Sequence, residues 1–217
     1  MGDEQDKQIP KPANRKFCIN YDIYHMILPP LTTMTIAAFY QRVKFHIFAP
    51  MKILMVCLGN ICRSPLAEGI LQHRVIQSGL NWTVSSAGTN GYHIGEAPHL
   101  LSQKVARING IDISAQRCRK FTPHDLLTYD KVYAMAQDVV EEMEMITGKK
   151  IFAPKVDLLL NELYPGENMD VPDPWYGPEP GYHEVFRMID QACEEIIRKY
   201  SGVIIPGTAG HNHQPSR

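Results

Sequence analysis

The alternation of apolar and polar positions becomes regular only after residue 50. Lys52-Ile53-Leu54-Met55-Val56-Cys57 is a short apolar run, the pattern of a parallel strand buried on both faces. A polar stretch follows. Leu66, Ala67, Ile70, Leu71 and Val75 then recur at helical spacing over 65–76, with Gly79 as the stop. Residues 82–86 read as a second strand, ended by Ala87-Gly88-Thr89. Residues 100–109 predict an amphipathic helix closed by Gly110, 131–135 a third strand, and 137–146 a helix. The stretch 155–163 starts as a strand and continues as loop or short helix. Apolar positions 185, 186, 189, 192, 193, 196 and 197 predict a long final helix over 182–200. Strands that alternate with helices imply an α/β fold. The expected form is a three-layer sandwich: a central parallel sheet of about four strands with helices on both faces.

The first fifty residues lack this rhythm. Residues 1–14 are polar and interrupted by Pro10 and Pro12. Residues 23–40 hold no Asp, Glu, Lys or Arg, but their length is marginal for a membrane and Pro29-Pro30 breaks them. Asp3, Glu4 and Asp6 give the chain an acidic start, unlike a secretory signal. The expected organisation is a poorly ordered extension over 1–50, one domain over 51–200, and a flexible tail over 201–217, with no membrane span.

Composition narrows the function classes without naming one. The 217 residues carry a formal charge of −1, so no basic surface points to nucleic acid. Five cysteines are an odd number without the spacing of a secreted framework, which suits a reducing, cytoplasmic compartment. Nine histidines include no helical pair with a carboxylate, so neither a metal nor another cofactor is expected. A monomer is the expected state.

The chemistry is concentrated in Cys57-Leu58-Gly59-Asn60-Ile61-Cys62-Arg63-Ser64-Pro65. A strand ends at Cys57, and a helix begins near Ser64-Pro65, where proline suits the first turn. The backbone N–H groups of Leu58, Gly59, Asn60, Ile61 and Cys62 can converge at the helix N-terminus as an anion nest, with a tetrahedral phosphate as its guest. Gly59 and Asn60 are the residue types that accept left-handed backbone there. A Cys57 thiolate at the floor of the nest would face N–H groups and the helix dipole, and would act as a nucleophile. Arg63 offers a planar fork for two phosphate oxygens. The Ser64 hydroxyl can donate to the Cys57 sulfur. Cys62, five residues on, can trap an oxidised Cys57 as a reversible disulfide.

Ester cleavage by a thiolate needs a proton donor for the leaving oxygen. The candidates are Asp170 and Asp173 in Met169-Asp170-Val171-Pro172-Asp173-Pro174-Trp175-Tyr176-Gly177, a stretch stiffened by prolines. Trp175 and Tyr176 can flank a flat substrate ring.

The run from Cys57 to Pro65 resembles the signature of the low-molecular-weight protein tyrosine phosphatase family, and the likeness extends from about Met51 to Tyr200. The resemblance selects Asp173 as general acid and base, and makes Tyr92 the opposite aromatic wall. It implies that Ser86 hydrogen-bonds Asn60 to support the loop. Asn109 stands where the family often has a histidine in that network, so it is expected to hydrogen-bond without titrating. The implied activity is hydrolysis of phosphotyrosine in proteins, or of small aryl phosphates, through a cysteinyl-phosphate. Three alternatives remain. An arsenate reductase would need two further clustered cysteines, and Cys118 stands alone. A protein-arginine phosphatase has a threonine where this chain has Ile61. A non-catalytic phospho-binding module would lack the thiol or the acid.

Overall fold

The computed structural model describes residues 50–151 and 154–201. The readings for 1–49 and for the tail beyond Ser201 lie outside the described residues. Four strands, β1 (Met51–Cys57), β2 (Trp82–Gly88), β3 (Lys131–Ala134) and β4 (Val156–Leu158), form one parallel sheet in the order β2-β1-β3-β4. The helices are α1 (Arg63–Gln77), α2 (Leu100–Ile108), α3 (Asp125–Thr128), α4 (Gln137–Thr147) and α5 (Glu179–Ser201).

Side chains of a strand alternate between faces, and β1 sorts its residues accordingly. Ile53, Met55 and Cys57 join the core cluster that α1, α2 and α5 cover, while Leu54 and Val56 join the cluster beneath α4. The expected three layers are therefore present. Strand β2 runs on through Ala87 and Gly88, past its expected end, and both ends of α5 also differ from the reading. Helix α5 starts at Glu179 rather than 182, because Pro180 and Gly181 fall in its first turn, where proline is tolerated. It also ends at Ser201, inside the expected tail. The ambiguous stretch resolves into β4 followed by a 3-10 turn, Leu159–Glu162. Helix α3 was not foreseen; four residues carry no readable period.

This order sets the site. From β1 the chain crosses to β2 on one side, and later to β3 on the other. In open α/β sheets, ligands bind outside the carboxyl ends of the strands where the order reverses. Cys57 lies at that end of β1. The proline-rich loop docks at the same end of β3, through Val171 N–H to the Met135 carbonyl at 2.7 Å.

Candidate active site

The residues between β1 and α1 form a tight loop whose shape one residue controls. Asn60 takes a left-handed backbone (φ 52°), and its own N–H turns back to the Cys57 sulfur at 3.2 Å. Gly59 does not adopt a positive φ, contrary to its expected role; Asn60 alone supplies the reversal. The Asn60 side chain repays the strain with hydrogen bonds on both ends. Its amide donates to Ser64 Oγ (2.9 Å) and Ser86 Oγ (2.8 Å), and its carbonyl accepts from the Arg119 N–H (2.9 Å). Ser64 Oγ lies 3.0 Å from Cys57 Sγ, within hydrogen-bond reach. Asn60 and Ser64 thus hold the loop from beneath, and neither lines the cleft above it.

Two residues just past the end of β2 secure the loop from below. Thr89 N–H bonds the Cys57 carbonyl and Asn90 N–H the Leu58 carbonyl, at 3.1 and 3.0 Å. Gly88 lies so close under the loop that a Cβ there would sit 2.9 Å from three backbone atoms, of Leu58, Gly59 and Asn60. Cys118 stands apart from the site in the sequence reading. It is buried, and its Sγ donates to the Gly59 carbonyl at 3.1 Å, so it too braces the loop.

The network ends elsewhere than expected. Asn109 does not join it; its amide bonds the Val105 carbonyl of its own helix at 2.8 Å. Glu68, one turn into α1, takes that place and accepts from Ser86 Oγ at 2.6 Å. Burial pushes the Glu68 carboxyl above the usual glutamate range, against the Ser86 hydrogen bond and the Arg119 charge. The network therefore contains a titratable group after all.

A cleft of about 250 Å³ opens over the loop, lined by Cys57, Leu58, Gly59, Ile61, Cys62 and Arg63 on its floor. Asn90, Tyr92, His93, Asp173, Trp175 and Tyr176 form its sides. Arg63 is buried and doubly held: Nη1 donates to the Val171 carbonyl at 3.1 Å, and Nη2 to Asp173 at 2.7 Å. Asp173 thus meets the nucleophile loop across 110 residues of sequence. Asp170 is separated from it by role: its carboxylate caps α4 through the Gln137 N–H at 2.9 Å. Tyr92 and Tyr176 are 85% and 94% exposed, so they stand as open rims rather than packed walls. Trp175 packs instead against His93 and His99, with ring centroids 5.6 and 5.3 Å away. Cys62 lies 3.7 Å from the Tyr182 hydroxyl, and burial pushes its thiol up to about 12. Ser86, Asn60 and Ser64 are brought together, as are Cys57, Arg63 and Asp173. No group of three or more metal-ligating side chains occurs among the described residues.

Glu68, Gly88, His93, His99 and Cys118 were not found by reading the sequence. The signal was available only for Glu68, whose spacing from the loop puts it on the α1 face toward β2.

Comparison with known proteins agrees with this geometry. The profile of the low molecular weight phosphotyrosine protein phosphatases matches residues 52–201. A Bacillus subtilis low molecular weight protein-tyrosine-phosphatase, YfkJ, is 34% identical over 67% of this chain and 92% of its own. Its crystal structure superposes with a TM-score of 0.64, covering 70% of this chain and 94% of that one. The human low molecular weight phosphotyrosine protein phosphatase is 31% identical over 70% of this chain and 96% of its own. A drosophila arginine phosphatase of known structure is 28% identical with a TM-score of 0.62, over 69% of this chain and 98% of its own. A profile match that runs from β1 through the last residue of α5 takes in the whole sheet and every side chain of the cleft: the chain belongs to the low molecular weight phosphotyrosine protein phosphatase family.

Proposed function

We propose that this phosphatase hydrolyses phosphotyrosine in proteins, and small aryl phosphates, in two steps on Cys57. The observation that carries the reading is the convergence of one buried sulfur, its hydrogen-bond donors, and the Arg63–Asp173 pair in a single cleft. The Cys57 thiolate attacks phosphorus while Arg63 and the loop N–H groups hold the equatorial oxygens, where charge builds in the transition state. The phosphate dianion displaces Asp173 from the guanidinium; the freed carboxylate takes up a proton from solvent and passes it to the departing phenol. Asp173 then takes a proton from the water that attacks the cysteinyl-phosphate. Tyr92, Trp175 and Tyr176 border the ring of the substrate.

No step calls on a metal or other cofactor. Purified protein should hydrolyse p-nitrophenyl phosphate in the presence of a chelator, and Cys57→Ser should abolish turnover. Persistent activity in that variant would refute the mechanism. Asp173→Ala should slow turnover by about 10²–10⁴-fold while inorganic phosphate still binds. The arginine phosphatase neighbour makes phosphoarginine the informative comparison substrate; Ile61, buried beside the cleft, favours phosphotyrosine.

Cys62 is proposed to protect Cys57. Peroxide converts the Cys57 thiolate to a sulfenic acid, the Cys62 sulfur attacks it, water leaves, and a disulfide remains. Mass spectrometry after mild peroxide should find that link; Cys57 sulfonic acid alone would overturn it. The remaining proposals are a catalytic unit over 51–200, an extension without a role in the chemistry, a monomeric state and a cytoplasmic location. No helix among the described residues is long and apolar enough to cross a membrane.

A further inference from the structure

Val171 anchors the acid loop to the end of β3 and to Arg63, two residues before Asp173; what holds the loop after Asp173 is a separate question. Asp173 uses one oxygen on Arg63 and the other on the Trp175 N–H, at 3.1 Å. The position of the carboxyl therefore depends on where Trp175 sits. The Trp175 ring rests on two imidazoles, His93 from the loop after β2 and His99 from the start of α2.

Of the two, His99 is the fixed one, because four contacts from four different elements meet on it. Its backbone N–H donates to the Ile61 carbonyl of the phosphate loop at 2.8 Å. Its Nδ1 accepts from the Leu101 N–H at 3.3 Å and so caps α2. One face of its ring stacks on Tyr182 of α5, with centroids 5.4 Å apart and planes 17° from parallel. Its other neighbour is Trp175, edge-on at 5.3 Å. Acceptance at Nδ1 requires that nitrogen to be unprotonated. Burial lowers the His99 pKa from its usual value and so favours the neutral ring that this bond needs.

We infer that His99 is a positioning residue for the Asp173 loop, clamping Trp175 against the phosphate loop so that the carboxyl stands over the leaving-group oxygen. This rests on Asp173 as proton donor. The clamp acts on the acid and not on the phosphate site, since the contact to Ile61 comes from the backbone and survives any substitution other than proline. Ring pairs of this kind shift an equilibrium by roughly two- to twelvefold each. Losing the ring of His99 should therefore shift the acid away from its place by up to about that factor.

The test uses two variants that divide the two functions of the side chain. His99→Asn keeps a good helix cap and removes the ring. His99→Phe keeps the ring and removes the cap. The readout is kcat/KM for a series of aryl phosphates whose phenols run from acidic to basic, together with competitive inhibition by inorganic phosphate. Wild-type protein, Cys57→Ser and Asp173→Ala are run alongside. The expected result for His99→Asn is a loss of roughly tenfold for the most basic phenol, shrinking toward none for the most acidic, with phosphate inhibition unchanged. His99→Phe should recover most of the wild-type value for basic phenols, with a lower melting temperature from the lost cap. An equal loss across the series, weakened phosphate inhibition, or no loss in His99→Asn would each overturn the inference. Failure of the phosphatase reading looks different: aryl-phosphate turnover in wild type that is absent, or that survives Cys57→Ser. That result would overturn both.

Discussion

Gly88 is the residue whose replacement should hurt most for its size. It ends β2 directly beneath the phosphate loop, and a Cβ built on it meets Asn60 N, Gly59 C and Leu58 O, all at 2.9 Å. Ordinary contact begins near 3.4 Å, so Gly88→Ala must push the loop away by about 0.5 Å. None of these atoms belongs to a side chain that can swing aside. The loop is also fastened on every side, by the Thr89 and Asn90 N–H groups, by Asn60 and by Cys118. Overpacking of this kind costs about 1–3 kcal/mol, which in a domain of this size lowers the melting temperature by roughly 2–12 °C. A misplacement of about 1 Å can cost about 10²-fold in rate, so half of that predicts about tenfold in kcat/KM. Inhibition by inorganic phosphate should weaken in parallel, since the displaced atoms belong to the nest. Steady-state hydrolysis of p-nitrophenyl phosphate and a thermal melt measure both quantities. Gly59→Ala is the control for stability: its Cβ would meet only side-chain atoms at 3.5 and 3.6 Å, at ordinary φ, and should melt near wild type. If Gly88→Ala keeps wild-type kcat/KM and phosphate inhibition, the end of β2 does not set the loop and the reasoning fails.

Two further outcomes follow from the titratable groups. Burial raises the Glu68 pKa above its unfolded value near 4.3, so folding binds a proton between those two values. The stabilisation is complete below the unfolded pKa and is lost as pH rises through the folded one. Glu68→Gln should remove that decline, and wild-type and variant melting curves that run parallel across the window would contradict it. Iodoacetamide at neutral pH should label Cys57 ahead of the other described thiols. Burial pushes Cys62 up to about 12 and Cys118 to about 11, and raises Cys193 further, so these stay protonated. Peptide mapping after brief treatment should find Cys57 modified first, and phosphate should protect it; first labelling of Cys62 would refute this.

What the sequence disclosed follows from how local each feature is. The β1–loop–α1 unit is contiguous, so a strand run, Asn60 and Arg63-Ser64-Pro65 could be read together. Asp173 needed the family resemblance to separate it from Asp170, because the evidence that divides them is tertiary: one carboxylate meets Arg63 and the other caps α4. The same limit hid His99. Its neighbours Ile61, Trp175 and Tyr182 are far apart in the chain and meet only in the fold. Asn109 shows the opposite error. A positional match placed it in the Asn60 network, but its amide satisfies a carbonyl of its own helix, and Glu68 approaches Ser86 from α1 instead. At α5, Pro180 and Gly181 signalled loop, although a helix tolerates both before its hydrogen-bond ladder begins.

The charge balance carries one more consequence. Six of the 22 basic and four of the 23 acidic residues precede Met51, which leaves a net charge of −3 beyond it. Such a surface does not draw a phosphate dianion from a distance. Among the described residues, Arg63 is the one lysine or arginine lining the cleft, and Asp173 holds it. Attraction must therefore arise at contact, when phosphate replaces Asp173 on the guanidinium and meets the loop N–H groups. Contact interactions in a buried site are screened little, whereas long-range steering fades as the Debye length falls from about 10 Å at 0.1 M to about 3 Å at 1 M. Across that range, set with a salt whose anion does not compete for the cleft, kcat/KM for p-nitrophenyl phosphate should stay flat or rise slightly, because salt also screens the weak repulsion. A fall of about tenfold would mean that a distant positive field guides the substrate, and that Arg63 with a ring of amides is not sufficient to capture it.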